Sequence, residues 1–199
     1  MKKILNPFRY LPLRQASCWG IAVMIMSAIM CWLIPVRLSS MTQVYLLQDK
    51  QPLWLSTVEQ VVVWLIFAFI LYIIGAIFSK SKVRFVDVAA FNLFARIPMD
   101  LMLLTLLVPK FKTLMLLLQE QSEAMMSGKI TQMTAMVDNM WYIVLISAIA
   151  SICSAWYCFW SYKGFAEATN VKNGKGVMLF ILGFIVAYVV SGFVLPLLR

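Results

Sequence analysis

Histidine is absent from this chain, and with it every mechanism that needs an imidazole as general base, proton shuttle or metal ligand. Charge is scarce too. Asp, Glu, Lys and Arg make up 13% of the residues against about 25% in a soluble domain, and hydrophobic residues reach 63% against about 45–50%. That deficit excludes a water-soluble globule of 199 residues and makes the bilayer the solvent. The excess of Lys and Arg, 17 against 8 acidic residues, gives net charge +9. These basic residues stand in short segments between apolar runs, as membrane flanks do, so nucleic acid is not the expected partner.

Chemical motifs are missing as well. The four cysteines, Cys18, Cys31, Cys153 and Cys158, include no CxxC pair and lie in or beside apolar runs, where a thiol behaves as a small apolar group. No GxxxxGK[ST], GxSxG, HExxH or GxGxxG occurs to cradle a phosphate or place a nucleophile. The carboxylates Asp49, Glu59, Asp87, Asp100, Glu120, Glu123, Asp138 and Glu167 are scattered and expected mostly at surfaces, which leaves paired acid–base catalysis unsupported. No catalytic site, cofactor or metal is expected.

What is present is a series of intervals nearly free of charge. They define spans at about 15–36, 60–79, 86–108, 139–162 and 176–198. At about 1.5 Å per residue, each covers the roughly 30 Å hydrocarbon core as a helix. The expected fold is an all-α membrane protein, a bundle of five transmembrane helices forming one membrane domain over residues 1–199 with no soluble domain. Lys2, Lys3, Arg9 and Arg14 precede the first span. That span is longer than a signal-peptide core and has no A-x-A-like cleavage site, so it is read as uncleaved.

The third region admits two readings. It is one helix over residues 86–108, with Arg96 and Asp100 a turn apart on one face, where they can pair. Alternatively, an interfacial helix over residues 86–97 precedes a fresh helix with Pro98 at its first position and Asp100 complementing its dipole, while Lys110 and Lys112 snorkel to the far surface. A re-entrant hairpin is the remaining arrangement. Basic residues in the successive flanks number 4, 2, 4, 3, 3 and 1, which puts 11 on one side and 6 on the other. Positive-inside bias then predicts a cytoplasmic N-terminus and an external C-terminus.

Trp19, Trp141, Tyr142, Trp160 and Tyr162 fall near span ends and are expected to anchor at the interface. Between spans three and four, Ile130, Met133, Met136, Val137 and Met140 recur at helical spacing, predicting extensions of those two helices with a break at Ser127-Gly128. The loop 163–175 is short, so spans four and five should form an antiparallel pair. Ser147, Ser151 and Ala155 on one, and Gly183, Ala187 and Ser191 on the other, are small residues four apart that allow close approach; mutual packing is favoured over a dimer interface.

The best functional candidate is the group Arg96, Pro98 and Asp100. An ionisable residue at membrane depth costs at least about 2.5–3.5 kcal/mol on insertion scales, so its retention calls for a role. The plainer reading places both charges at the cytoplasmic interface, defining where span three starts. The sharper ones are an ion pair, a partner-docking corner or a conduction path. The basic turn Ser79-Lys80-Ser81-Lys82-Val83-Arg84-Phe85 suits anionic headgroups and equally serves as a topology signal.

The N-terminal Asn6-Pro7-Phe8-Arg9-Tyr10, the Ser79 to Arg84 turn, the Ala95-Arg96-Ile97-Pro98 start of span three and the Lys163-Gly164-Phe165-Ala166-Glu167-Ala168-Thr169 loop, in that order and spacing, resemble the bacterial branch of the Yip1 domain family. Members often show a Gly-Tyr pair upstream of the span-three proline; Phe91 and Asn92 stand in that neighbourhood here. The resemblance implies five spans and a cytoplasmic N-terminus. Eukaryotic members are linked to Rab-type GTPases and vesicle traffic, so small-GTPase binding is implied only by that analogy. The expected function is a membrane-embedded interaction or organising factor of the bacterial inner membrane, without catalysis. Its expected partners are the lipid bilayer and other membrane proteins or a second copy. The alternative is a small oligomeric transporter or channel with Arg96 and Asp100 near its path.

Overall fold

A computed structural model describes residues 6–47, 49–127 and 139–198. A 3-10 turn at Pro7–Arg9 leads into α1 (Leu13–Leu33), followed by a two-stranded hairpin, β1 (Val36–Leu38) and β2 (Val44–Leu46). Then come α2 (Leu53–Phe78), α3 (Phe85–Ala95), α4 (Ile97–Thr105), α5 (Pro109–Met126), α6 (Met140–Thr169) and α7 (Asn173–Leu197). Among the described residues, five stretches are long and apolar enough to cross a membrane: α1, α2, α3 with α4, α6 and α7. The fold is an all-α membrane bundle of five spanning helices.

The third span is the hub. It packs against α1, α2 and α6 together, and 61% of its most apolar window is buried, against 17–28% for the other four. It is also the least apolar, with mean hydropathy 1.4 where the others run from 1.9 to 2.9. These are one physical fact: a helix surrounded by protein need not match the lipid, and only such a helix tolerates polar side chains at depth. The span is broken at Arg96. Pro98 has no N–H to give to the preceding turn, and the chain tightens there, with the amides of Met99 and Asp100 both donating to the Arg96 carbonyl at 2.8 and 3.2 Å. The break of the second reading is present, but its interfacial helix is corrected: residues 85–95 are packed inside the bundle and form one candidate span with α4. The new helix starts one residue earlier, at Ile97, so Pro98 takes its second position.

Three expectations change. After α4 the chain turns at Leu106 to Val108 and starts the separate helix α5, so span three is not extended. Lys110 sits in the first turn of α5 with its ammonium 3.5 Å from the Tyr142 ring centre instead of snorkelling from span three. Helix α5 ends at Ser127, where a break was expected, while Gly128, Ile130, Met133, Met136 and Val137 lie outside the described residues. The α6/α7 pairing is weak: α7 lies along α2 instead. Gly183, Ala187 and Ser191 are buried, and a Cβ at Gly183 would come 2.8 Å from Ile74 and 3.0 Å from Leu71. Ser147, Ser151 and Ala155 face outward. Small side chains on α7 admit a bulky partner face, and α2 supplies it; spacing specified the close approach but not the neighbour.

Aromatic placement is also divided. Trp19 and Trp141 are exposed, but Trp160 is buried, stacked on Phe94 at 5.5 Å and edge-on to Phe8 at 6.5 Å. Helix α6 continues to Thr169, which puts Trp160 well inside it and makes it a core residue, not an anchor. Tyr162 is half-buried against Phe180.

A candidate polar site inside the bundle

Asn92, Arg96 and Asp100 recur every four residues along the third span, so the helix that carries them presents them in one row. Arg96 and Asp100 are only 8% and 6% exposed. Eleven residues of helix separate Arg96 from Phe85, which places it about 16 Å from that end of the span. The interfacial placement of the two charges is thereby corrected. The reason is the hub position of this span, which surrounds both side chains with protein.

Arg96 does not ion-pair with Asp100. Its guanidinium turns to α2, where Nη1 donates to the Gln60 backbone carbonyl at 3.2 Å and Nη2 donates to Gln60 Oε1. With its oxygen so engaged, the Gln60 amide presents Nε2 to Cys31 Sγ of α1, 3.6 Å away. Ser27, one turn before Cys31 and likewise buried, faces the Asp100 carboxyl. The network therefore ties spans one, two and three together at one depth. Below Arg96, Asn92 is buried with neither amide atom hydrogen-bonded among the described residues.

The hairpin closes this site from one end. Leu38, Met41 and Val44 join Thr42, Arg96 and Asp100 around a cavity of about 20 Å³, room for a single water. A two-stranded hairpin is marginal alone, and here both outer edges are completed by side chains. Glu59 on α2, 1% exposed, accepts the Leu38 N–H at 3.4 Å and pairs with Arg37 at 3.6 Å. Gln51 Nε2 donates to the Val36 carbonyl at 3.4 Å and to Ser56 Oγ at 2.7 Å. On the other strand, Gln119 of α5 accepts the Leu46 N–H at 3.1 Å and returns an N–H to the Leu46 carbonyl at 3.3 Å. The expected surface position of Glu59 is corrected: the span starts seven residues earlier than the charge-free interval, and the carboxylate is consumed by the hairpin.

At the opposite end, two segments far apart in sequence meet. Asn6 Nδ2 donates to Glu167 Oε1 at 3.0 Å. Phe8 fills a slot formed by Phe91 (5.1 Å) and Phe94 (5.8 Å), and its ring lies 3.6 Å from where a Cβ on Gly164 would sit. Sequence reasoning missed Gln51, Glu59, Gln60, Asn92 and Gln119. A glutamate and a glutamine at the polar end of span two were a signal; Gln51 in a loop and Asn92 and Gln119 on helices carried none.

The arrangement defines a multi-pass membrane protein whose interior polar groups are largely spent on holding helices and hairpin together. No protein-family model, curated protein or solved structure matches the chain.

Proposed function

We propose that this chain is a membrane-embedded interaction or organising factor without catalysis, similar in role to bacterial Yip1-domain proteins. The observation that carries the reading is the row Ser147, Ser151 and Ala155. It is exposed on α6, the span with the smallest buried share, with only Ser147 also bordering a small cavity against α4 and α5. In lipid, where apolar surface alone gives no drive to associate, such a row is what lets another helix approach closely. The partner is another spanning helix, from a second copy or a different membrane protein. The basic-residue bias supports a cytoplasmic N-terminus, an external C-terminus and residence in a bacterial inner membrane. Small-GTPase binding stays an analogy, since nothing in the geometry favours it.

Ser151→Cys should crosslink in native membranes to itself or to a membrane partner, and Ser151→Leu should abolish the adduct formed at a second site, Ser147→Cys, while leaving monomer stability unchanged. A crosslink pattern indifferent to Ser151→Leu would remove this reading. The second reading, a small transporter or channel, is favoured by Arg96 and Asp100 both lining the cavity under the hairpin. Flux from liposomes that stops on Asp100→Asn would support it; silent vesicles would not.

A further inference from the structure

The end of the bundle away from the hairpin carries an open recess of about 500 Å³, lined by Phe78, Lys80, Ser81, Asn170, Lys172 and Lys175 among others. That is the size range of ligand pockets. Its three ammonium groups come from two segments some ninety residues apart. They are brought together by Ser79 Oγ, which donates to the Thr169 carbonyl at 2.6 Å, and by Ser81 Oγ, which reaches the same carbonyl at 3.5 Å. Gly75 makes this junction possible, because a Cβ there would collide with the Thr169 methyl. Asn170, at φ 57°, turns the chain so that Lys172 and Lys175 follow on the same side.

Among the described residues, no carboxylate lines the recess. The nearby Glu167 is held by Asn6 and pairs with Lys172 at 3.7 Å, so it offsets part of one charge. Lys175 lies 5.3 Å from the centre of the Phe78 ring, an apolar wall. Ile77 and Phe78, both exposed, continue from it along α2. A site with several cationic donors, hydroxyl and amide groups and an apolar side at the end of a spanning helix matches a phosphate attached to acyl chains.

We propose that this recess binds a phosphate group, supplied by the headgroup of an anionic phospholipid whose chains lie along Ile77 and Phe78. Each lysine is worth about fivefold in affinity, from about 1 kcal/mol per charge near a membrane surface.

The test uses purified full-length chain in neutral detergent, titrated with phosphatidylglycerol and phosphatidylcholine and read by native mass spectrometry. Wild type should prefer phosphatidylglycerol by at least about tenfold. Lys80→Ala combined with Lys172→Ala and Lys175→Ala should erase the preference, and Lys80→Ala alone, on an exposed turn where folding is not at risk, should weaken it about fivefold. Removing Lys110 and Lys112 at the other end should leave it unchanged. Inorganic phosphate separates the sources: failure to displace the lipid supports the headgroup, while displacement in wild type, or phosphate binding lost in the triple variant, supports phosphate recognition from solution. A lipid preference that survives both lysine variants overturns the proposal, as does equal binding of the two lipids by a wild type that also binds no phosphate.

Discussion

Gln60 receives Arg96 twice, through its backbone carbonyl and through its side-chain oxygen. A guanidinium at this depth is accommodated by an uncharged amide and a backbone dipole that act beside the nearby Asp100 carboxyl, and the amide passes its own N–H on to Cys31. Gln60→Leu leaves the backbone carbonyl but removes the side-chain acceptor, and should therefore destabilise the bundle by about 1–3 kcal/mol, since one donor of a buried cation loses its partner. Adding Arg96→Met to Gln60→Leu should recover much of that loss. Thermal unfolding of the four species in detergent measures the coupling, and strictly additive losses would contradict it.

Glu59 fastens the hairpin to α2 through the Leu38 amide and Arg37. Glu59→Ala should free residues 36–46 to proteolysis in intact vesicles while the five helices persist, a local loss of about 1–3 kcal/mol. Cutting no faster than in wild type would show that the hairpin stands without it.

The Gln119 amide closes the free edge of β2 at Leu46. Gln119→Leu should raise hydrogen exchange at Leu46 and along α5 by about ten- to hundredfold, as two bonds of about 1 kcal/mol each are lost. Exchange in α2 should stay unchanged. Gln119→Glu keeps the acceptor and loses the donor, and should fall between.

Phe8 plugs the slot between α3 and α6 beside Gly164. Phe8→Ala should cost about 3–4 kcal/mol and Phe8→Leu less, because the slot can partly refill. Tryptophan fluorescence should report the change, as Trp160 lies in the same aromatic cluster. An unshifted melting point for Phe8→Ala would mean the N-terminal turn is only loosely attached.

Ala187 is fully buried against α2, whereas Ser151 is exposed. Ala187→Leu should lower stability by about 1–3 kcal/mol through overpacking, and Ser151→Leu by less than about 0.5 kcal/mol. Equal effects on melting temperature would refute the assignment of α7 to α2.

The five spans were legible because length and hydropathy are local properties: a run of about 20 apolar residues must satisfy its backbone within itself, whatever its neighbours do. The break at Arg96 was legible in part, since Pro98 removes a hydrogen bond wherever it stands. Which helix lies beside which was not. Ser147 and Gly183 carry the same spacing signal, yet one faces outward and the other meets Leu71, and composition cannot choose between them. The same holds for the buried charges. An arginine beside an apolar run reads as a flank until tertiary packing encloses it, and only the meeting of α1, α2 and the third span set Gln60, at position 60, opposite Arg96 at position 96. Sequence alone determined that the chain carries five apolar stretches long enough to cross lipid and roughly where they lie, but not the separate helix α5 or the true ends of α2 and α6. The fold decided which polar side chains satisfy one another, because that depends on contacts between residues dozens of positions apart.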